Sequence, residues 1–199
     1  MIIGVTGGMG AGKSLVAGLL GKLLRLEVLD ADIICRNLLQ PDRPGWQGIQ
    51  EKWGPRFFDP AGNIDRPALR NALFTNIVVR QGVERILHPL VRQEIIRKAV
   101  EKRSCPTGMV VEVPLLFEVG WQDDFDWVVV VYADRECCLQ RIIRRDQVSA
   151  ENAIKAISAQ MSLVEKALLA DSVIENSGPL ALTILQVCHL TRILQSFDA

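Results

Sequence analysis

Residues 7–14 of the sequence, Gly-Gly-Met-Gly-Ala-Gly-Lys-Ser, are the first group whose types and spacing could do chemistry. They match the phosphate-binding pattern GxxxxGK(S/T) at every fixed position. Glycines let the backbone fold tightly, so that its amides can point at phosphate oxygens. Lys13 can reach the β- and γ-phosphates of a nucleotide, and the Ser14 hydroxyl can ligate Mg²⁺. The loop residues expected to bind ATP are Gly8, Gly10, Ala11, Gly12, Lys13, Ser14 and Leu15.

The surroundings of residues 7–14 favour this interpretation over a glycine-rich turn that matches by chance. An apolar, β-branched pattern ends at Thr6, and a helical pattern begins at Lys13. A strand that leads into the loop and a helix that follows it are the context that the motif requires. The helix also adds the partial positive charge of its N-terminus.

Two aspartates follow the second predicted strand, which covers residues 27–29. Asp30-Ala31-Asp32 comes directly after it, and ligands of open α/β sheets bind beyond the carboxyl ends of the strands. A carboxylate there could accept the proton of a substrate hydroxyl and help hold Mg²⁺. Asp32 could equally cap a helix that starts at Ile33, and the residues alone leave both interpretations open.

Three arginines, Arg141, Arg144 and Arg145, lie on one predicted helix. Arg141 and Arg145 are four residues apart and therefore share a face. Paired guanidinium groups suit the charge that spreads over a transferring phosphoryl group. A solvated basic face is the alternative, and it is the commoner use of such a run.

Other side chains have ordinary structural interpretations. His88 precedes Pro89 between two predicted helices, of which Pro89 would start the second. Four aromatic residues are expected to form a small core, although they could also stack on a base: Trp46, Trp53, Phe57 and Phe58.

Composition predicts a single globular domain for the 199 residues, of which 49% are hydrophobic. Lysine plus arginine and aspartate plus glutamate both number 23, so the basic excess of nucleic-acid-binding proteins is missing and no such partner is expected. Five cysteines with irregular spacing predict reduced thiols: Cys35, Cys105, Cys137, Cys138 and Cys188.

The sequence shows neither a signal peptide nor a membrane span, and we therefore expect a cytoplasmic protein. Residues 1–6 enter a strand pattern directly, without the basic and apolar regions of a signal peptide. Unbroken apolar runs are only a few residues long, as in residues 127–133, whereas a membrane span needs about 20. We therefore expect no membrane partner.

Alternating strands and helices predict an α/β fold with a mostly parallel sheet. The predicted strands cover residues 2–6, 27–29, 109–113, 127–132 and 172–175. The predicted helices cover residues 13–24, 33–39, 67–74, 77–87, 89–102, 135–145, 163–170 and 179–195. Residues 32–103 are helical without a good strand, and we interpret them as an inserted lobe. A second helical stretch covers residues 135–170.

The class of nucleotide-binding protein follows from what surrounds the loop. The sequence has no NKxD element for reading guanine, and its two DxxG matches, at residues 42–45 and 59–62, lie in turns that contain proline. The helical insert and the arginines instead favour a small-molecule kinase. Another kinase, such as one for nucleoside monophosphates, and a non-catalytic nucleotide-binding switch remain alternatives.

Several segments together resemble the dephospho-coenzyme A kinase family. The segments run in the family's order and nearly span the chain: residues 6–14, Leu-Asp-Ala-Asp-Ile-Ile at 29–34, Leu-His-Pro-Leu at 87–90, Glu-Val-Pro-Leu-Leu-Phe-Glu at 112–118, 141–146, Ala-Gln-Met at 159–161 and 170–178. Many families share the loop, whereas the Asp-Ala-Asp, His-Pro and Val-Pro-Leu-Leu-Phe-Glu segments are much more specific.

The resemblance implies a five-stranded parallel sheet with a helical substrate lobe at residues 32–103 and a mobile lid at 135–170, around a core of residues 1–31, 104–134 and 171–199. It implies transfer of the ATP γ-phosphoryl group to the ribose 3′-hydroxyl of dephospho-coenzyme A. On that basis Asp32 is the base, Arg141 is a lid arginine on the ATP phosphates and Asn176 lies beside adenine. Gln160 matches a lid position, and His88 falls in the substrate lobe.

Two positions depart from the family's usual loop. Leu15 stands where the family has threonine, whose hydroxyl meets the α-phosphate, and Ala11 stands where serine is frequent. One neutral hydrogen bond contributes about 0.5–1.5 kcal/mol, so Leu15 predicts weaker nucleotide binding without loss of the chemistry. A backbone contact at Ala11 survives the change.

Overall fold

The computed structural model describes residues 1–103 and 108–197, and Cys105 lies outside the described residues. The chain divides into two compact units. One unit consists of Met1–Asp30 with Ala99–Ala199, and the other consists of Ala31–Lys98. The first contains the sheet and the second is helical. The predicted roles of residues 32–103 as a substrate lobe and of 135–170 as a lid stay predictions.

Five parallel strands form one sheet in the order β2-β3-β1-β4-β5. Their bounds are β1 Ile2–Gly7, β2 Glu27–Asp30, β3 Met109–Glu112, β4 Trp127–Tyr132 and β5 Ser172–Glu175. All six residues of β1 are buried, as expected for the central strand of a parallel sheet that helices flank. The predicted fold class is confirmed, and each predicted strand end is correct to within one residue.

Helices flank the sheet in the first unit. Their bounds are α1 Lys13–Leu24, α6 Arg135–Asp146, α7 Ala150–Ser158, α8 Leu163–Leu168 and α9 Leu180–Phe197. A buried core joins β1 and β4 to α1 and α9 through residues such as Val5, Val16, Val129 and Val187. The predicted capping box is present, because Ser162 and Glu165 exchange side-chain-to-backbone hydrogen bonds at the start of α8.

Helix α9 is the one helix in the described part of the chain that is long and apolar enough to cross a membrane by length and composition alone. Its buried residues Val187, Leu190 and Leu194 belong to the sheet core, and 28% of its 18 residues are buried. A helix of a protein core meets the same length and composition test. The absence of a membrane partner and the cytoplasmic location stay predictions.

The helical unit has its own core. Its helices are α2 Ala31–Leu38, α3 Pro44–Trp53 and α4 Arg66–Thr75, together with most of α5 Ile77–Arg103. Ile49 and Phe57 are buried in this core, and Trp46, Trp53 and Phe58 pack against it. Edge-to-face contacts join Trp46 to Phe58 and Trp53 to Phe57. The aromatic residues therefore form the small core that the sequence predicts.

Two helix boundaries correct the sequence analysis. Helix α5 runs without a break from Ile77 to Arg103 with Pro89 inside it, whereas a pair of helices was expected. Proline removes one backbone hydrogen bond, but buried residues recur every four positions on both sides of it and keep the segment helical: Val79, Val83, Leu87, Val91 and Ile95. Helix α2 begins at Ala31, so Asp32 lies in its first turn and not before it.

Candidate active site

The phosphate loop connects the end of β1 to the start of α1, as the motif predicts. Gly7, Gly10 and Gly12 adopt φ angles of 148°, 79° and 98°, values that residues with a Cβ rarely adopt. Gly12 is the left-handed N-cap residue of α1. The Lys13 ammonium group donates to the Gly8 carbonyl oxygen at 3.1 Å and so lies across the loop.

Two side chains from distant elements bind the carbonyl groups in the second half of the loop. The Arg141 guanidinium on α6 donates to the carbonyl oxygens of Gly10 at 3.3 Å and Ala11 at 3.4 Å. It also donates to the Asn176 carbonyl oxygen at 2.8 Å. Asn176 directly follows β5, and its side-chain amide donates to the Ala11 carbonyl oxygen at 2.7 Å. Both predicted nucleotide-binding residues therefore contact the loop itself.

Asn176 is held on every side. Only 4% of the residue is exposed, and its backbone N–H donates to the Tyr132 carbonyl oxygen at 2.8 Å. Its side-chain oxygen accepts a hydrogen bond of 2.8 Å from the Thr183 hydroxyl on α9. The side-chain nitrogen occupies the space that a Cβ on Gly12 would need. Gly12 therefore serves the loop twice, through its backbone angle and by making room for this amide.

The first half of the loop has different partners. The Met9 backbone N–H donates to the side-chain oxygen of Gln160 at 2.9 Å. The Leu163 side chain lies against Gly8, where an added Cβ would meet its Cγ at 3.2 Å. Gln160 and Leu163 are both half-buried, and both fall in residues 135–170, the predicted lid.

An ion pair between a buried lysine and a partly exposed glutamate holds the segment that carries Gln160. Lys166 on α8 is fully buried, and its ammonium group lies 2.8 Å from Glu118 and donates to the Pro114 carbonyl oxygen at 3.0 Å. Glu118 also accepts a hydrogen bond of 3.1 Å from the Met161 backbone N–H. The start of α8 is therefore fixed to the chain that follows β3, and nothing in the sequence pattern indicated this pair.

Glu112 is a candidate site residue that the sequence analysis did not single out. It is the last residue of β3 and only 8% exposed. Its carboxylate accepts a hydrogen bond of 2.9 Å from the Ser14 hydroxyl. A buried acidic residue at the end of a strand next to β1 could have suggested this role. Oxygen ligands of this kind suit Mg²⁺, although no cluster of three metal-binding side chains occurs within residues 1–103 and 108–197.

Comparison with known proteins identifies the family. The family model described as dephospho-CoA kinase matches residues 1–181. The chain belongs to the dephospho-CoA kinase family. It is therefore a kinase that uses ATP, and the resemblance found in the sequence is confirmed.

Individual dephospho-CoA kinases match nearly the whole chain. The protein of Desulfotalea psychrophila is 40% identical over 187 residues, which cover 94% of each chain. The protein of Symbiobacterium thermophilum is 41% identical over 187 residues, which cover 94% of this chain and 78% of that protein. The solved structure of the Campylobacter jejuni dephospho-CoA kinase is 25% identical, has a TM-score of 0.73 and covers 100% of this chain and 98% of its own.

The remaining residues that the family resemblance singled out lie in the helical unit. Asp32 is in the first turn of α2, two residues after the end of β2. His88 lies in the middle of α5 and lines a shallow, open depression on the surface of that helix. The other residues that line the depression are Gln81, Glu84, Arg85 and Pro89.

The other arginines of α6 do not share the contacts of Arg141. The Arg145 guanidinium donates to Asp146 at 2.7 and 2.9 Å, and this hydrogen bond raises the pKa of Arg145. Arg144 and Arg145 are exposed. Cys138, on the same helix, is buried against Gly10, and burial raises the pKa of its thiol. The described cysteines are free thiols in the structure.

Proposed function

We propose that this chain carries out the reaction of the dephospho-CoA kinase family with residues 7–14 as its triphosphate site. The reaction transfers the γ-phosphoryl group of ATP to the ribose 3′-hydroxyl of dephospho-coenzyme A and gives coenzyme A and ADP, the final step of coenzyme A synthesis. The family match carries the reaction. The strand–loop–helix geometry with three glycines at positive φ supports the site.

Ser14 and Glu112 are the pair best suited to hold Mg²⁺ on the ATP phosphates. Their oxygens lie 2.9 Å apart at the start of α1 and the end of β3, and a loop serine with an acidic residue from a strand is the usual donor set of P-loop enzymes. Mg²⁺ held by this pair would supply positive charge to the ATP phosphates. Asp32 remains a second candidate for a metal contact.

Asp32 is the proposed base. Its carboxylate would orient the 3′-hydroxyl and accept its proton while the hydroxyl oxygen bonds to the γ-phosphorus. The bond from that phosphorus to the β,γ-bridging oxygen breaks, and ADP leaves. Two features support this role: Asp32 matches the family's Asp-Ala-Asp segment, and its position after β2 is on the ligand-binding side expected for α/β sheets.

Arg141 has a proposed role that its contacts refine. Its guanidinium carries a positive charge, so it adds positive potential beside the triphosphate while it binds the carbonyl oxygens of Gly10 and Ala11. Direct contact of Arg141 with the transferring phosphoryl group, contact of Asn176 with adenine and closure of residues 135–170 as a lid stay predictions. For the acceptor, His88 is the candidate contact in the helical unit, and this too stays a prediction.

Mass spectrometry of the acceptor tests the reaction directly. After incubation of the protein with Mg-ATP and dephospho-coenzyme A, the acceptor should gain the mass of one phosphate. ADP release without that mass gain would contradict the proposed acceptor. A nucleoside monophosphate offered in competition should not be phosphorylated.

Asp32→Asn tests the base. Turnover should fall by about 10²–10⁴, whereas ADP binding should stay within twofold. Asp42→Asn is the matched control, since Asp42 is an exposed residue of the same unit at a φ of 63°, which asparagine tolerates. Equal turnover in the two variants would remove Asp32 from the chemistry.

Glu112→Gln tests the metal pair. The Mg²⁺ concentration that gives half-maximal activity should rise about tenfold or more, because an amide is a poorer ligand for Mg²⁺ than a carboxylate. Glu136→Gln, at an exposed position of α6, makes the same change as a control. An unchanged Mg²⁺ dependence in Glu112→Gln would contradict the assignment.

A further inference from the structure

The hydrogen bonds behind the phosphate loop form a continuous chain that no phosphate-binding motif includes. It runs from the Thr183 hydroxyl to the Asn176 side-chain oxygen, and from the Asn176 side-chain nitrogen to the Ala11 carbonyl oxygen. Thr183 is 1% exposed and Asn176 is 4% exposed. Every link therefore lies away from water, where a lost partner leaves a polar atom unsatisfied.

Thr183 and Ala11 bind opposite ends of the Asn176 amide. The asparagine side chain has one end that accepts hydrogen bonds and one end that donates them. The Ala11 carbonyl oxygen only accepts, so it binds the nitrogen end, and the Thr183 hydroxyl donates to the oxygen end and holds the amide in that orientation. Since the same nitrogen fills the space beside the Cα of Gly12, the amide supports two consecutive residues of the loop.

We propose that Thr183 and Asn176 are positioning residues for nucleotide binding, which hold residues 11 and 12 of the loop in the shape that binds the triphosphate. Neither side chain needs to touch the nucleotide. Thr183 acts through Asn176, and Asn176 acts through the backbone of Ala11 and Gly12. The proposal rests on the proposed function only in that the loop is taken to be the nucleotide site.

The chain offers a matched control for Thr183 on the same helix. Thr191, two turns further along α9, is also buried, with 6% exposed. Its hydroxyl donates to the Cys188 carbonyl oxygen within α9 and not to the side chain of Asn176. Threonine-to-valine changes at the two positions remove the same hydroxyl from similarly buried sites, and only one of them interrupts the chain of hydrogen bonds to the loop.

Calorimetric titration with ADP and with Mg-ATP tests the proposal. Thr183→Val should weaken both nucleotides about 3- to 10-fold, the effect of one buried hydrogen bond. Its KM for dephospho-coenzyme A should stay within twofold. Thr191→Val should leave nucleotide binding within twofold, even where thermal unfolding shows a similar loss of stability. Thr183→Ser keeps the hydroxyl and should restore nucleotide affinity.

Three outcomes would overturn the proposal: equal nucleotide affinity in Thr183→Val and Thr191→Val, no recovery in Thr183→Ser, or a change confined to the acceptor KM. If Thr183→Val does not fold, Thr183→Ala and Thr191→Ala make the same comparison. Failure of the proposed function would look different. The wild-type protein would then leave dephospho-coenzyme A unphosphorylated, while the nucleotide affinities of the two valine variants could still be compared.

Discussion

The two halves of the phosphate loop are held in different ways. Gly10 and Ala11 receive hydrogen bonds from Arg141 and Asn176, of which Asn176 is buried. Gly8 and Met9 instead contact Leu163 and Gln160, which are half-buried. Buried hydrogen bonds open rarely, whereas contacts beside water open with little free energy. The second half, which Asn176 binds through a buried hydrogen bond, is therefore the fixed half of the loop, whereas the part-buried Gln160 contact of the first half should open at a lower free energy.

Replacement of glycines in the two halves gives the largest expected difference. Gly12→Ala should weaken ADP binding more than about 100-fold, because residue 12 has a φ of 98° and the new Cβ would clash with the Asn176 amide. Gly8→Ala meets only the flexible Leu163 side chain, at 3.2 Å, and should weaken binding less than about tenfold. Calorimetric titration with ADP measures both, and circular dichroism checks the fold.

Equal losses in Gly8→Ala and Gly12→Ala would break the comparison between the halves. Gly18→Ala controls for the general effect of a methyl group near the loop, since Gly18 is exposed on α1 and has no atom within 4 Å of an added Cβ. That variant should bind ADP normally and gain about 0.5–1 kcal/mol in stability.

Lys166→Met tests what holds the partners of the first half. Removal of the ammonium group leaves Glu118 without this ion pair. The Pro114 carbonyl oxygen loses the hydrogen bond from Lys166 and keeps the longer one, of 3.3 Å, from the Thr6 hydroxyl. The free energy of unfolding should fall by about 2–3 kcal/mol, less than for a fully buried pair, because Glu118 is 21% exposed. Urea unfolding measures this change.

The double variant Lys166→Met with Glu118→Gln should recover part of the lost stability, since no unpaired charge then remains. Lys155→Met is the surface control. Lys155 pairs with Glu151 at a site where both side chains are mostly exposed, and its loss should change stability by less than about 0.5 kcal/mol. A similar loss of stability in Lys155→Met and Lys166→Met would contradict the role of the Lys166–Glu118 pair in holding the segment that carries Gln160.

Gln160→Ala should have the smallest effect. The variant removes one neutral hydrogen bond to Met9 at a half-buried position, so turnover should fall about two- to fivefold. ADP affinity should change by less than twofold, because the fixed half of the loop is intact. Gln140→Ala is the control, because the Gln140 amide donates to Glu136 on the same helix. The distinction between the two halves of the loop would be refuted if Gln160→Ala lowered ADP affinity more than it lowered turnover in steady-state kinetics.

The sequence predicts the elements that local pattern determines. The strands are β-branched runs that end at turns, and the loop motif fixes the junction of β1 and α1, so both were correctly placed. Helix α5 was wrongly divided because Pro89 is a local stop signal. The buried positions on both sides of it are held by packing that the local pattern does not show.

Site residues that depend on contacts between distant elements could be predicted only in part from the sequence. Arg141 and Arg145 share one face of a helix, so the sequence predicted the same role for both. In the structure Arg141 binds the loop, whereas Arg145 binds Asp146. Glu112 reaches Ser14 only because β3 lies beside β1. The motif that named Asn176 gave its place in the chain, but its partner Ala11 is 165 positions away.

The Asn176 amide lies where a Cβ on Gly12 would be, and this has a consequence for protein engineering. The eight-residue motif is incomplete as a transferable module, because one of its supports is contributed by Asn176. A graft of residues 7–14 onto another parallel sheet would bring the glycines and the lysine but leave a gap beside residue 12. A recipient scaffold would need an amide donor at the carboxyl end of the strand two places from β1, which is where β5 ends here.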